Sequence, residues 1–183
     1  MKSNMTKNMP KSSIKKIDED KQKVLELIIS DSRQSPNEIA QKLGFSRQKA
    51  WKIIKLLEKE NRVWGYTAIA PEYKKGWITY FALVKIKYSY LKEIKMLIEN
   101  IKKGGTTDID LRVIGVFFTN GCYDGIIIFS VRNIQNAKKY LGHMQKMYGD
   151  QVERIDLIEN VFPLIISGKL NPDIDKLKDF SIE

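Results

Sequence analysis

Residues 35–60 read SPNEIAQKLGFSRQKAWKIIKLLEKE. Ser35, Pro36 and Glu38 have the spacing of a capping box: Ser at the N-cap, Pro in the first turn, Glu three residues after Ser. Gly44 supplies a left-handed stop, and Ser46 is placed to cap a second helix. Only Leu43 to Ser46 lie between the two, so the helices must cross steeply, as in a helix-turn-helix. A preceding helix is expected from about Asp18, a fair N-cap, to Asp31, with Val24, Leu25, Ile28 and Ile29 at helical spacing. Residues 17–64 thus form a three-helix domain.

Placed on a wheel of about 100° per residue, the helix after Ser46 has two faces. Ala50, Ile53, Ile54 and Leu57 make an apolar stripe, and Gln48, Lys52, Lys55 and Lys59 gather at the opposite pole. Arg47 and Lys49 project from the first turn. Trp51 lies on the flank and reads as a partly buried aromatic beside the first helix. Leu56 falls on the polar side, where it would pack on the following segment or on a partner chain. A helix-turn-helix presents its second helix to the DNA major groove, with N-terminal residues on base edges. These residue types suit that role. Arg47 matches guanine O6 and N7, and Gln48 matches adenine N6 and N7. Lys49 and Lys52 reach edges or phosphates, whereas Lys55, Lys59 and Arg62 reach phosphates. With Ser46 they form the candidate DNA-binding surface. Charge agrees: the chain carries +10, and residues 1–66 hold 15 Lys and Arg against 8 Asp and Glu. The expected partner is double-stranded DNA.

The remainder changes character. RVWGYTAIAPEYKKGW, 62–77, reads as a strand and turn, with 65–78 as linker. Strands are expected over 78–88, 111–119 and 125–131, the last nearly continuous in Ile and Phe and so central and buried. Helices are expected over 91–102, ended by Gly104 and Gly105, and over 133–148. Asn120-Gly121 is a hairpin signal. Residues 152–167 read as extended, with Pro163 disfavouring an unbroken central strand. Strand, helix, strand, strand, helix, strand is the ferredoxin-like pattern, here over 79–170, giving an α+β chain. Residues 1–16 read as a disordered basic leader and 171–183 as a charged tail.

The one cysteine, Cys122, excludes an internal disulfide and a Cys-based zinc site, and the one histidine, His143, excludes a His-rich metal site. Cys122 reads as structural and His143 as a surface residue. No nucleophile–base pairing or phosphate loop is evident, so no catalytic residue, metal or cofactor is expected. The N-terminus has no apolar core and no apolar run approaches 18 residues, so a cytoplasmic protein away from membranes is expected.

The segment from Ser35 to Trp77 resembles the N-terminal half of the Lrp/AsnC (feast/famine) regulators. The matching features are the S-x-x-E-[IL]-A helix, the G-[LF]-S-R turn, the K-x-L-E-x-E helix end and GYTA. The second half resembles that family's ligand-sensing domain, with Gly121-Cys122-Tyr123-Asp124 at its G-x-Y-D position. The resemblance covers 17–168. It implies a winged-type helix-turn-helix regulator that forms dimers or higher homo-oligomers through the C-terminal domain. It also implies a small effector, such as an amino acid, near Gly121, Tyr123 and Asp124, where the carboxylate would accept an ammonium. The alternative is that Asn-Gly makes the turn and Asp124 only fastens the loop. Two other functions are compatible with the architecture. A siroheme-decarboxylase-like enzyme would carry an Arg-His pair after the helix-turn-helix, and 62–77 contains no histidine. A low-specificity DNA-packaging protein would coat DNA uniformly instead of protecting a discrete site.

Overall fold

The structure, a computed structural model, describes residues 11–87, 99, 102 and 109–180. The chain divides between Ala68 and Ile69 into two compact units.

The first unit contains α1 (Lys11–Ser30), α2 (Pro36–Leu43) and α3 (Arg47–Lys59). Helix α1 starts ahead of the expected Asp18 and takes in part of the supposed leader. Residues 11–17 contain neither Pro nor Gly, so nothing in them stops the helix short of Asp18. Residues 1–10 lie outside the described residues. Around α2 the capping box is complete: Ser35 Oγ accepts from the Glu38 N–H, and Glu38 Oε2 accepts from the Ser35 N–H at 2.6 Å. At its other end Gly44 adopts φ 65°, and the Phe45 N–H reaches the Ala40 carbonyl at 2.8 Å. Ser46 then caps α3 by accepting from the Lys49 N–H. Helix α3 ends the same way as α2, with Asn61 at φ 55° and the Arg62 N–H on the Leu57 carbonyl. Val24, Ile28, Ile39, Ala40, Ala50, Ile53 and Leu57 form the core, with Leu43, Phe45, Ile54 and Val63 packed against it.

The second unit begins with a short 3₁₀ turn, Glu72–Lys75, bracketed by the breakers Pro71 and Gly76 in the segment read as strand and turn. Residues 62–71 form no strand. Pro71 cannot donate a ladder hydrogen bond, and no strand among the described residues pairs with this stretch. Strands β1 (Ile78–Ile86), β2 (Leu111–Phe118), β3 (Gly125–Val131) and β4 (Val152–Asn160) follow, with α4 (Ile134–Tyr148) between β3 and β4. They form an antiparallel sheet in the order β2-β3-β1-β4, the ferredoxin-like order. The expected helix over 91–102 falls almost wholly outside the described residues, although Glu99 and Lys102 are helical. Strand β3 is central as its composition suggested, but only Phe129, Ser130 and Val131 are buried. Strand β4 stops at Asn160, before Pro163.

Alternation divides the sheet. Tyr80, Ala82, Phe129 and Val131 join Ala137, Tyr140 and Leu141 of α4 in a core. Phe129 meets Tyr140 edge-on, with ring centroids 4.8 Å apart. Tyr80 sends its hydroxyl to Glu159 at 3.0 Å, and burial together with that carboxylate pushes the phenol up to about 12. The opposite face carries Phe81, Leu83, Ile126 and Ile128, flanked by Phe117 at 52% and Ile158 at 49% exposure. The charged C-terminal segment is folded over its described residues, 171–180. After a small hairpin, β5 (Ile165–Ile166) and β6 (Lys169–Leu170), Asn171 is buried and donates to the Pro163 carbonyl. Asp173 then pairs with Lys74 and Lys176.

Leu57 is fully buried where α3 meets the rest of its unit. Leu57→Ala is expected to destabilise the helical unit by about 2–5 kcal/mol. Hydrogen exchange of α1–α3 amides, compared with that of the sheet amides, measures the loss and its confinement to one unit.

Candidate nucleic-acid interface

Helix α3 is held by its apolar stripe, so its other face is fixed in direction. Ser46, Arg47, Gln48, Lys52, Lys55, Lys59 and Arg62 are exposed on it or just beyond its end; Lys49 is half-buried. No acidic residue lies in the first turn, so the positive end of the helix dipole is not neutralised locally. The structure therefore brings the sequence-predicted residues to one surface, but it separates them by what they already hold.

Lys49 is turned inward. Its Nζ lies 2.6 Å from Asp20 of α1, whose side chain is 10% exposed, and 3.9 Å from the centroid of the Phe45 ring. Lys55 pairs with Glu58 at 2.8 Å. That contact, and a hydrogen bond from Tyr66, hold the Glu58 carboxyl below its ordinary range. Arg62 donates to Gln22 at 3.0 Å. Arg47, Lys52 and Lys59 have no carboxylate within ion-pair distance among the described residues. Trp51 is 50% exposed, more open than a residue packed beside α1, and Leu56 is 39% exposed. A groove of about 360 Å³ between α1 and α3 is lined in part by Ile17, Asp20, Gln48, Lys52 and Leu56. Asp20 was not visible as a functional residue in sequence. It sits in the run Asp18-Glu19-Asp20, and only the three-dimensional crossing of α1 and α3 singles it out.

The β2–β3 connection places Gly121, Tyr123 and Asp124 in one loop, but it commits Asp124. Pairing of β1 with β3 ends at Val84 and Gly125. Just beyond, the Ile86 N–H donates to Asp124 Oδ2 at 2.9 Å, so the side chain continues the ladder. Lys85 lies 3.1 Å from the same oxygen. The Asp124 N–H donates to the Val84 carbonyl and the Thr119 N–H to the Asp124 carbonyl. Chiefly through the Ile86 N–H, and then Lys85, the Asp124 carboxyl is held below its usual value. Tyr123 donates to Asp156 and accepts from Arg154 at 2.8 Å, two β4 residues that sequence reading did not join to this loop. Strand register supplied no sequence signal for that approach. Gly121 and Cys122 are exposed, so Cys122 is not a packed residue. His143 is half-buried on α4. Among the described residues no group of three or more His, Cys, Asp and Glu could hold a metal, and no helix is long and apolar enough to cross a membrane.

Residues 17–63 match the winged helix-turn-helix DNA-binding family. The chain is 29% identical over 126 residues to an uncharacterised HTH-type transcriptional regulator of Pyrococcus furiosus, covering 68% of this chain and 79% of that protein. Among solved structures it is similar to an AsnC family transcriptional regulator from Agrobacterium tumefaciens, with TM-score 0.62 and 15% identity over 84% of this chain and 96% of that one. It is also similar to a transcriptional regulator from Neisseria meningitidis solved as a complex with L-Met, with TM-score 0.62 and 13% identity over 90% and 97% of the two chains. The matched segment, 17–63, is a winged helix-turn-helix DNA-binding domain, and most of the chain has the fold of the AsnC/Lrp regulators.

The Asp124 contacts predict a pH dependence with a definite sign. A carboxyl whose folded-state pKa is depressed stabilises the fold above the ordinary Asp value of about 3.9, and that contribution is lost as pH falls through the depressed value. Asp124→Asn should lower the thermal midpoint at pH 7. The gap from the unsubstituted protein should narrow on acidification below about pH 4. A gap that stays constant with pH would remove the ionised carboxylate from the loop's stability.

Proposed function

We propose that this DNA-binding transcriptional regulator of the Lrp/AsnC type reads a specific DNA sequence through the first turns of α3. The observation that carries the reading is the set of side chains left free on a fixed helix face. Arg47, Gln48, Lys52 and Lys59 are exposed, and none of the three cations is consumed by a neighbouring carboxylate among the described residues. Arg47 and Gln48 stand at the N-terminal end, where base edges are met, and Ser46 lies beside them. Lys52, Lys55, Lys59 and Arg62 follow along the helix and beyond it toward phosphates. The Lys55–Glu58 pair is an exposed one, worth little, and a phosphate can replace Glu58. Lys49, read from the sequence as a further contact, is left out of this set because its ammonium is bound to Asp20.

The protein acts as a homodimer or larger homo-oligomer assembled through its sheet domain. The exposed Phe117 and Ile158 beside Phe81, Leu83, Ile126 and Ile128 support this, because such a face loses water favourably against an equal one. A dimer carries two copies of α3 and so suits a two-fold symmetric site. A small effector such as an amino acid modulates it beside Gly121, Tyr123 and Asp124; the L-Met complex of the Neisseria meningitidis protein supports that class. The reading is of a cytoplasmic regulator without catalytic activity.

The test is a binding titration at two salt concentrations, with DNA upstream of the protein's own gene and random DNA of equal length. Preference for the upstream DNA that survives higher salt is the expected result. Equal binding that collapses with salt would instead indicate packaging. On the preferred site Arg47→Ala should cost about 1–3 kcal/mol and relax base preference. Lys59→Ala should weaken binding to both DNAs alike and reduce the salt slope by about 0.9. Identical behaviour of the two variants on both DNAs would contradict this division of roles.

A further inference from the structure

Lys49 differs from every other cation on α3. Its partner is a largely buried carboxylate on another helix, 2.6 Å away, whereas the partner of Lys55 is an exposed neighbour one turn along the same helix. The Lys49 ammonium also stands 3.9 Å from the centroid of Phe45, the residue directly after the Gly44 stop. One side chain therefore joins α1, the turn and α3. Asp20 is 7% exposed as a residue and has no other cation within ion-pair distance among the described residues. Withdrawing Lys49 to DNA would leave that carboxylate buried and unpaired, which is costly. It would also place a negative charge beneath a helix that faces phosphates.

Resting on the DNA-binding reading above, we infer that Asp20 is a positioning residue that acts through Lys49. It holds the Lys49 ammonium away from the nucleic acid and fixes the first turn of α3, leaving Arg47 and Gln48 as the reading group and Lys52 as a phosphate contact. The pair lowers the non-specific attraction of this surface by one cation. It thereby favours discrimination between sites over raw affinity, because phosphate contacts add affinity without sequence choice.

The experiment measures the salt dependence of binding by the full chain to its preferred site and to random DNA. The variants are Lys49→Met, Asp20→Asn, their double variant, and Lys52→Ala as a reference. Lys52→Ala should reduce the slope of log affinity against log salt by about 0.9, the value of one lost phosphate contact. Lys49→Met should leave the slope unchanged, although it lowers the thermal midpoint. Asp20→Asn should increase the slope by about 0.9 as Lys49 becomes free. It should also strengthen random-DNA binding more than specific binding, and the double variant should abolish both changes. A slope reduced equally by Lys49→Met and Lys52→Ala would overturn the inference, since Lys49 would then be a phosphate contact. Should Asp20→Asn fail to fold, the Lys49→Met slope alone decides. Absence of DNA binding by the unsubstituted chain would defeat the DNA reading and this inference with it. A Lys52→Ala effect beside an unchanged Asp20→Asn slope would defeat this inference alone.

Discussion

The geometry of the first unit depends on the turn closed by Gly44. At φ 65° this residue terminates α2 and sends Phe45 back toward the bundle, while Ser46 immediately begins α3. A side chain at this φ would cost about 1–2 kcal/mol from Cβ crowding alone. A longer connection would avoid that strain but would let α3 rotate about its axis. Rotation by half a turn, about 180°, would exchange the apolar stripe for the cationic face. The short turn and the buried Ala50, Ile53 and Leu57 therefore act together: the turn sets the crossing, and the stripe sets the rotation.

A second constraint governs the sheet domain. A sheet covered on one face by helix can bury Tyr80, Ala82 and Phe129 only by presenting Phe81, Leu83 and Ile128 on the other. The sequence places large apolar residues at both sets of positions. Among the described residues α4 covers one set, and Phe117 and Ile158 on the other stay about half exposed. The Asp124 side chain closes the end of this sheet, taking the Ile86 N–H after β3 has run out.

Much of this architecture was legible in residue order. The capping box, Gly44 and Ser46 announced their turn through local chemistry, and Asn120-Gly121 between two apolar runs announced the β2–β3 hairpin. The extended reading of 152–167 ran past β4, which ends at Asn160, and Pro163 marked only that one unbroken strand was disfavoured. Local chemistry misread the beginning of α1, because Asp18 resembles an N-cap whether or not helix precedes it. Of the strand and turn it read over 62–77, only the turn formed, because β propensity does not reveal whether a pairing partner exists. At the sites, the helical wheel gathered the cations on one face but was blind to their partners, as Lys49 turned toward Asp20 shows. Asp20 and Lys49 are 29 positions apart, and Tyr123 and Asp156 are 33 apart. Contacts of that range follow from packing, to which no periodicity points.

That blindness bears on how charge is read. A net charge of +10 and a row of lysines describe how many cations exist, not how many are free. On α3, Lys49 is bound to a buried carboxylate, Lys55 to an exposed one, and Arg47, Lys52 and Lys59 to none among the described residues. These states respond differently to a polyanion. A free cation gives up only its counterion, and an exposed pair exchanges one carboxylate for a phosphate at little net cost. A buried pair must leave a charge stranded in a poorly solvated place. The affinity of such a surface is thus set by the burial of the acids behind it as much as by the bases on it. A regulator that must leave most of the genome unoccupied gains from keeping some of its bases engaged with its own core.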